Sequence, residues 1–292
     1  MPSLTQAIPL IFVLIWSTGW VVAGFAARYA DPLWFLFLRF ALAAVVIAML
    51  ALAMRAPWPV GRRAIGHALA SGILLHTFYL GGVWWAVRNG VPTGISGIMA
   101  GLQPVFTALL APLFLGERIA PRQALGIALG FAGIVLVLAP KLLGIDPTHL
   151  ATVLVPLGVN VLAMLSVTLG SFYQKRFIAG GDLRTTTVLQ YVGAALTTLP
   201  LVLLFGAPQA EWNQTLVLTM AWSVLALSVG GVGLFLYLIG LGEVSRAAAY
   251  IYLVPPVAAL MSYVIFGELL APVQLLGMAV TALGVWLAVR GA

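Results

Sequence analysis

Few side chains in this sequence can do chemistry, and most of those are set inside long apolar runs. His76 lies near the centre of one such run with Tyr79 one helical turn on, and Arg39 lies about two turns into another. Trp16 and Trp20 share a helix face through their i,i+4 spacing. They fall in the middle of a third run, although tryptophan normally sits at a membrane interface. Ser17, Gln103 and Asn160 add hydrogen-bonding groups, and Met99, Met164 and Tyr250 add an adaptable apolar wall. Together these residue types suit non-covalent recognition of a neutral, partly apolar small molecule such as a neutral or aromatic amino acid. Each also has a plainer use, since histidine can be structural, hydroxyls and amides can join helices, and Met and aromatic residues can pack a core. Arg39 could hold a carboxylate, but the favoured reading of an arginine there is snorkelling to the outer interface.

The missing chemistry narrows the field further. All seven acidic residues, Asp31, Glu117, Asp146, Asp182, Glu211, Glu243 and Glu268, fall at the ends of apolar runs or between them. No carboxylate cluster for Mg²⁺ is available inside a run, and neither Asp-x-x-Asp nor His-Glu-x-x-His occurs. Ser71 and His76 would point roughly 140° apart on one helix, so they do not form a nucleophile and its base. The residues therefore argue against an integral-membrane enzyme. There is no cysteine, which excludes disulfides, thiolate metal sites and thiol chemistry. Neither cofactor nor metal is expected.

The elements that must position these residues follow from composition. Of 292 residues 63% are hydrophobic and 7% charged, too little charge to cover a water-soluble globule. The chain is expected to be all-α and polytopic in a lipid bilayer, with ten spans at roughly 6–27, 33–53, 65–86, 93–115, 121–139, 150–173, 185–205, 214–239, 246–266 and 272–289. The first run, Ile8 to Ala27, reads as a spanning helix and not a cleaved signal. Runs of this length do not fit a β-barrel, whose strands are about 10 residues of alternating pattern. A formal charge of +7 reflects basic loops and not a nucleic-acid groove.

With a cytoplasmic N-terminus, Arg55, Arg62, Arg63, Arg118, Arg122, Lys175, Arg176, Arg184, Arg246 and Arg290 fall on the cytoplasmic side. Arg28, Arg39, Arg88 and Lys141 fall outside, so the positive charges favour both termini inside.

An offset of 151 residues lays the second part of the chain on the first. It superposes Pro104 on Pro255, Gly116-Glu117 on Gly267-Glu268, Ala120-Pro121 on Ala271-Pro272, Gln123 on Gln274 and Gly133 on Gly284, with Met99 on Tyr250. Two five-helix halves follow, 1–143 and 147–292, and an odd number of spans inverts the second half relative to the first. The charges agree, since the shared Gly-Glu-x-x-Ala-Pro turn carries Arg118 and Arg122 in the first half but Leu269 and Val273 in the second.

This pattern, with Ile15-Trp16-Ser17-Thr18 in the first span and Gly116-Glu117-Arg118 echoed by Gly267-Glu268-Leu269, resembles the EamA family of the drug/metabolite transporter superfamily. Its size and Trp-Ser-Thr motif are most similar to the aromatic amino acid exporters of that family. The resemblance covers essentially the whole chain. It implies alternating-access export of small organic solutes across the bacterial inner membrane. It also implies that a cationic-drug antiporter of the superfamily would carry an embedded Glu, which this chain lacks. Facilitated diffusion is therefore the first expectation. Proton-coupled drug or metabolite efflux is the alternative, with His76 as the mid-membrane group of suitable pKa. Sugar-phosphate or nucleotide-sugar carriage would want several buried basic groups, and only Arg39 is a candidate.

Helices that move need weak points. Pro104 and Pro255 fall at equivalent places inside the fourth and ninth spans, where each removes a hydrogen bond and clashes one turn back. Gly81-Gly82 and Gly230-Gly231 mark the third and eighth spans as further gating candidates. Gly126 and Gly130, at GxxxG spacing, could pack the halves together or pair two subunits.

Overall fold

The computed structural model describes residues 4–115, 119–143, 150–178, 180–231, 233–234 and 253–290. Lipid offers backbone N–H and C=O groups no partner, so unbroken apolar runs become helices. These are α1 (Leu4–Tyr29), α2 (Pro32–Ala53), α3 (Arg62–Gly72), α4 (Tyr79–Arg88), α5 (Thr93–Met99) and α6 (Leu102–Leu115). They continue with α7 (Pro121–Leu143), α8 (Leu150–Phe177), α9 (Leu183–Phe205), α10 (Gln214–Trp222), α11 (Val254–Phe266) and α12 (Pro272–Arg290). Two π-helical segments, Ile73–Phe78 and Ser223–Gly230, lie inside continuous helical runs, the first between α3 and α4 and the second following α10. Seven helical stretches are long and apolar enough to cross a membrane, and three shorter apolar helices accompany them, Gln214–Gly230, Val254–Phe266 and Pro272–Ala288. Among the described residues the only β structure is a lone bridge between Ala30 and Ala210.

The expectation of uninterrupted spans needs correction in three places. The stretch 93–115 is two helices, broken at Ala100 and Gly101, whose N–H groups bond three residues back to Gly97 O (3.2 Å) and Ile98 O (2.9 Å). The break falls one turn before Pro104 because the proline ring excludes the carbonyl four residues earlier. Pro104 and Pro255 thus stand in the first turns of α6 and α11, where a missing N–H costs nothing. The third and eighth runs each contain a π-helical segment, a feature that hydrophobic periodicity does not signal. Arg246, Asp146, the turn Gly116-Glu117-Arg118 and most of the segment between α10 and α11 lie outside the described residues.

Positions 151 apart carry matching local structure. Asp31 Oδ1 caps α2 by accepting from Leu33 N and Trp34 N at 3.0 Å, and Asp182 Oδ1 caps α9 by accepting from Arg184 N at 2.9 Å. Arg184 also donates to Asp182 through its side chain and holds that carboxyl below the usual carboxylate range. Gln123 and Gln274 each accept from the backbone N–H three residues earlier, Ala120 and Ala271, at 2.9 Å.

Equivalent helices pack against each other with opposed directions. The start of α2 meets the end of α9, where Asp31 N donates to Gln209 O (3.1 Å). The start of α9 meets the end of α2, where Thr185 Oγ1 donates to Pro57 O (2.8 Å). In α7 and α12, Gly126 lies against Gly284 while Gly133 lies against Gly277. A Cβ on Gly126 would come 2.4 Å from Ala288 N, so only glycine permits this backbone approach. Gly130 faces Val105 and the backbone of Gly284.

The shared turn has a visible job in its second copy. Gly267 ends α11 with φ at 70°, and Glu268 reaches across to the start of α5. Its Oε1 accepts from Thr93 N (3.0 Å) and Thr93 Oγ1 (2.9 Å), and its Oε2 from Gly94 N (2.7 Å). The carboxylate satisfies the unpaired N–H groups at a helix start and ties the two parts of the chain together.

Candidate functional site

A cavity of about 210 Å³ lies among α1, α2, α4, α8, α9 and the two π-helical segments. α1 contributes Trp16, Gly19 and Trp20, and α4 contributes Tyr79, Leu80, Val83 and Trp84. Trp16 and Trp20 reach it together because they are one turn apart. Leu75 and His76 come from the first π-helical segment and Leu227 from the second. His76 and Leu227 are themselves 151 residues apart. An extra residue in a helical turn re-aims the side chains around it, which is why such segments recur at functional sites. Arg39, Val167 and Tyr191 complete the lining from α2, α8 and α9.

The walls are aromatic and the charge is single. His76 stacks on Tyr191 with ring centroids 4.5 Å apart and planes 15° apart, and Tyr191 stacks in turn on Phe40 at 5.9 Å. Trp16 tilts against Phe12 at 5.2 Å and remains 38% exposed. The Arg39 guanidinium sits 5.8 Å from the Trp84 ring centre, and its Nε and Nη2 donate to Ser228 Oγ at 3.4 Å. Ser228 is positioned by its own bond to Ser223 O, five residues back in the second π-helical segment (3.1 Å). The single ion pair among the described residues is Arg184 with Asp182, so Arg39 has no carboxylate partner there.

Arg39 therefore corrects the snorkelling expectation. It is 5% exposed and turns into the protein roughly 10 Å along α2 from its first residue. A buried cation without an anion is costly, and a solute carboxylate is the group that would relieve the cost.

Of the residues expected to bind solute, Trp16, Trp20, His76 and Tyr79 share this cavity. Ser17, Met99, Gln103, Asn160 and Met164 do not line it. Ser17 Oγ donates to Val254 O at 3.4 Å and joins α1 to α11. Asn160 Nδ2 donates to Ser96 Oγ at 2.8 Å and joins α8 to α5. The backbone carbonyl of Gln103 accepts from Thr107 Oγ1 and Thr168 Oγ1, while Met99 and Met164 are fully buried in the core. Tyr250 lies outside the described residues. Tyr191, Trp84, Val167 and Leu227 were not signalled by the sequence, because ordinary apolar and aromatic residues show their role only when distant segments meet.

A second hollow, about 540 Å³, opens between α4, α8 and α9. Gly81 and Gly82 line it with Leu162, Leu201 and Phe205, and its hydroxyls are those of Thr77 and Ser166. Both are already engaged, Thr77 with Ala194 O and Ser166 with Leu74 O. Gly230 and Gly231 lie elsewhere, and Gly231 packs against the Trp16 ring.

The model of the EamA-like transporter family matches this chain twice, over residues 6–139 and 156–290. The chain belongs to the EamA-like transporter family. It is 24% identical over 277 residues to the uncharacterized transporter YvbV of Bacillus subtilis, covering 92% of this chain and 86% of that protein. It is 24% identical over 291 residues to a probable amino-acid metabolite efflux pump of Salmonella typhimurium, covering 97% and 93%. One solved structure superposes with a TM-score of 0.64 at 20% identity, covering 99% of this chain and 98% of its own, which shows a shared fold. This EamA-family protein is a multi-pass membrane transporter.

Proposed function

We propose that this transporter exports amino acids, aromatic and other neutral ones, and their close metabolites by facilitated diffusion across the bacterial inner membrane. The observation that carries the reading is Arg39, buried at the wall of an aromatic cavity and without an ion partner among the described residues. Its guanidinium takes the solute carboxylate, while Trp16, Trp20, His76 and Tyr79 take the apolar part. The description of the Salmonella relative as a probable amino-acid metabolite efflux pump fits this solute class.

Transport proceeds by alternating access between two inverted five-helix halves, 1–143 and 147–292, through ten spans with both termini in the cytoplasm. The opposed packing of α2 on α9 and of α7 on α12 supports inversion, as do the paired caps and π-helical segments. Pro104 and Pro255 start new helices where the chain can bend, and the two glycine pairs soften the runs around the π-helical segments.

Purified protein in liposomes should support counterflow of labelled phenylalanine, and an imposed pH gradient should not drive its accumulation, because no carboxylate falls inside an apolar run of the sequence to couple the two. Uphill uptake driven by pH would contradict the facilitator reading and make His76 the coupling site. His76→Gln keeps hydrogen bonding without titrating and would then abolish uphill movement alone. Single cysteines placed at Arg62 and Arg118 should label from the cytoplasm, and at Asp146 and Glu211 from outside. Labelling of Arg118 and Asp146 from one side would sink the inverted arrangement.

A further inference from the structure

Among the described residues the cavity holds hydrogen-bond donors and a cation but no anion. Arg39 carries a permanent charge and five N–H groups, of which those on Nε and Nη2 reach Ser228 Oγ. Trp20, 5% exposed, has its indole Nε1 buried with no acceptor. The described carboxylates are elsewhere. Asp31 and Asp182 cap helices, Glu268 caps α5, and Glu211 lies in the connection before α10. The other three, Glu117, Asp146 and Glu243, are outside the described residues and lie in sequence between apolar runs.

A zwitterion entering this site satisfies Arg39 with its carboxylate but brings its ammonium close to the same guanidinium. In a low-dielectric cavity that repulsion is strong, and an aromatic face compensates an ammonium less well than a carboxylate does. A carboxylate whose nitrogen is acylated or absent avoids the conflict and keeps both the donors and the aromatic walls.

Resting on the exporter reading of this cavity, we propose that the preferred solute is an aromatic monocarboxylate anion without a charged amine, and that export is electrogenic. Over a full cycle Arg39 returns to its starting place, so the charge moved per turnover is that of the solute. The inside-negative membrane potential then expels it with no coupling ion. One elementary charge moving through 100 mV shifts the equilibrium concentration ratio about fifty-fold.

The test uses the full chain in liposomes, with a potassium gradient and valinomycin setting the interior about 100 mV positive. The probes are labelled N-acetylphenylalanine and phenylalanine, with protein-free vesicles as the blank. N-acetylphenylalanine should accumulate towards fifty-fold and leave when the potential is collapsed, while phenylalanine should enter more slowly and show no response. Arg39→Gln should lose the preference for the anion and Arg39→Lys should retain it at a lower rate. Should the glutamine variant not fold, the wild-type comparison decides alone. Faster entry of phenylalanine than of N-acetylphenylalanine, or equal anion levels with and without the potential, would overturn the proposal and leave the exporter reading standing. Movement of neither probe would overturn both.

Discussion

Arg39 and Gln190 occupy the same place in α2 and α9, 151 residues apart, yet their surroundings leave very different demands. Gln190 Nε2 donates to Ser71 Oγ at 3.0 Å and to Gln174 Oε1 at 3.1 Å, which uses both of its hydrogens. Arg39 reaches a single hydroxyl at 3.4 Å and faces a cavity. Their helices share an Asp cap, a similar length and each other's packing face. Matched helices thus set where the site is, and one residue difference sets its chemistry. Gln190 is satisfied by its neighbours, whereas Arg39 carries a charge with no anionic partner among the described residues.

The sharpest way to break this comparison is to make the two positions alike. Arg39→Gln removes the charge-assisted contact and should lower counterflow by about 10- to 150-fold, since such a hydrogen bond contributes about 1.5–3 kcal/mol. Measured exchange within threefold of wild type would place the solute elsewhere. Trp20→Ala and Tyr79→Ala keep the charge but remove aromatic contact, and should each raise the half-saturating solute concentration about tenfold with an unchanged yield of folded protein. Gln190→Ala should do the reverse, leaving apparent affinity within about twofold while costing about 1 kcal/mol of stability, read as a lower melting temperature in detergent. An affinity loss there as large as that of Arg39→Gln would erase the asymmetry. The smallest effect is expected in the larger hollow, where Leu162→Ala should leave both exchange and affinity within about twofold, because that crevice offers apolar surface and hydroxyls already in use.

Much of this architecture was legible in the sequence, for reasons that differ from element to element. Apolar runs without charge identify spanning segments because a bilayer leaves the backbone few choices. Paired prolines, glycines and the Gly-Glu-x-x-Ala-Pro turn reveal the internal correspondence because these residues are chosen by backbone shape. What Glu268 does was hidden, since its partners Thr93 and Gly94 lie more than 170 residues away. The direction in which Arg39 turns was misread because snorkelling and burial need the same residue at the same depth; only Ser228 and Trp84, brought up from distant segments, decide it. Trp16, Trp20, His76 and Tyr79, polar or amphipathic groups at an unusual depth in the sequence, line one cavity. Asn160 and Ser17 gave the same signal but join helices instead, because a single buried amide or hydroxyl is satisfied as well by a neighbouring helix as by a solute.

The central claim is that solute occupies the Arg39 cavity, and the absence of cysteine allows a direct measurement. Leu227, 7% exposed, lines the cavity from the π-helical segment whose Ser228 contacts Arg39. A Leu227→Cys variant should react with a small membrane-permeant maleimide, and phenylalanine or its N-acetyl derivative should slow that reaction at the concentrations that support exchange. The same solute should leave a Leu143→Cys control unaffected, and adding Arg39→Gln should abolish the protection. Alkylation of Leu227→Cys at an unchanged rate under saturating solute, in protein that still exchanges it, would contradict the account.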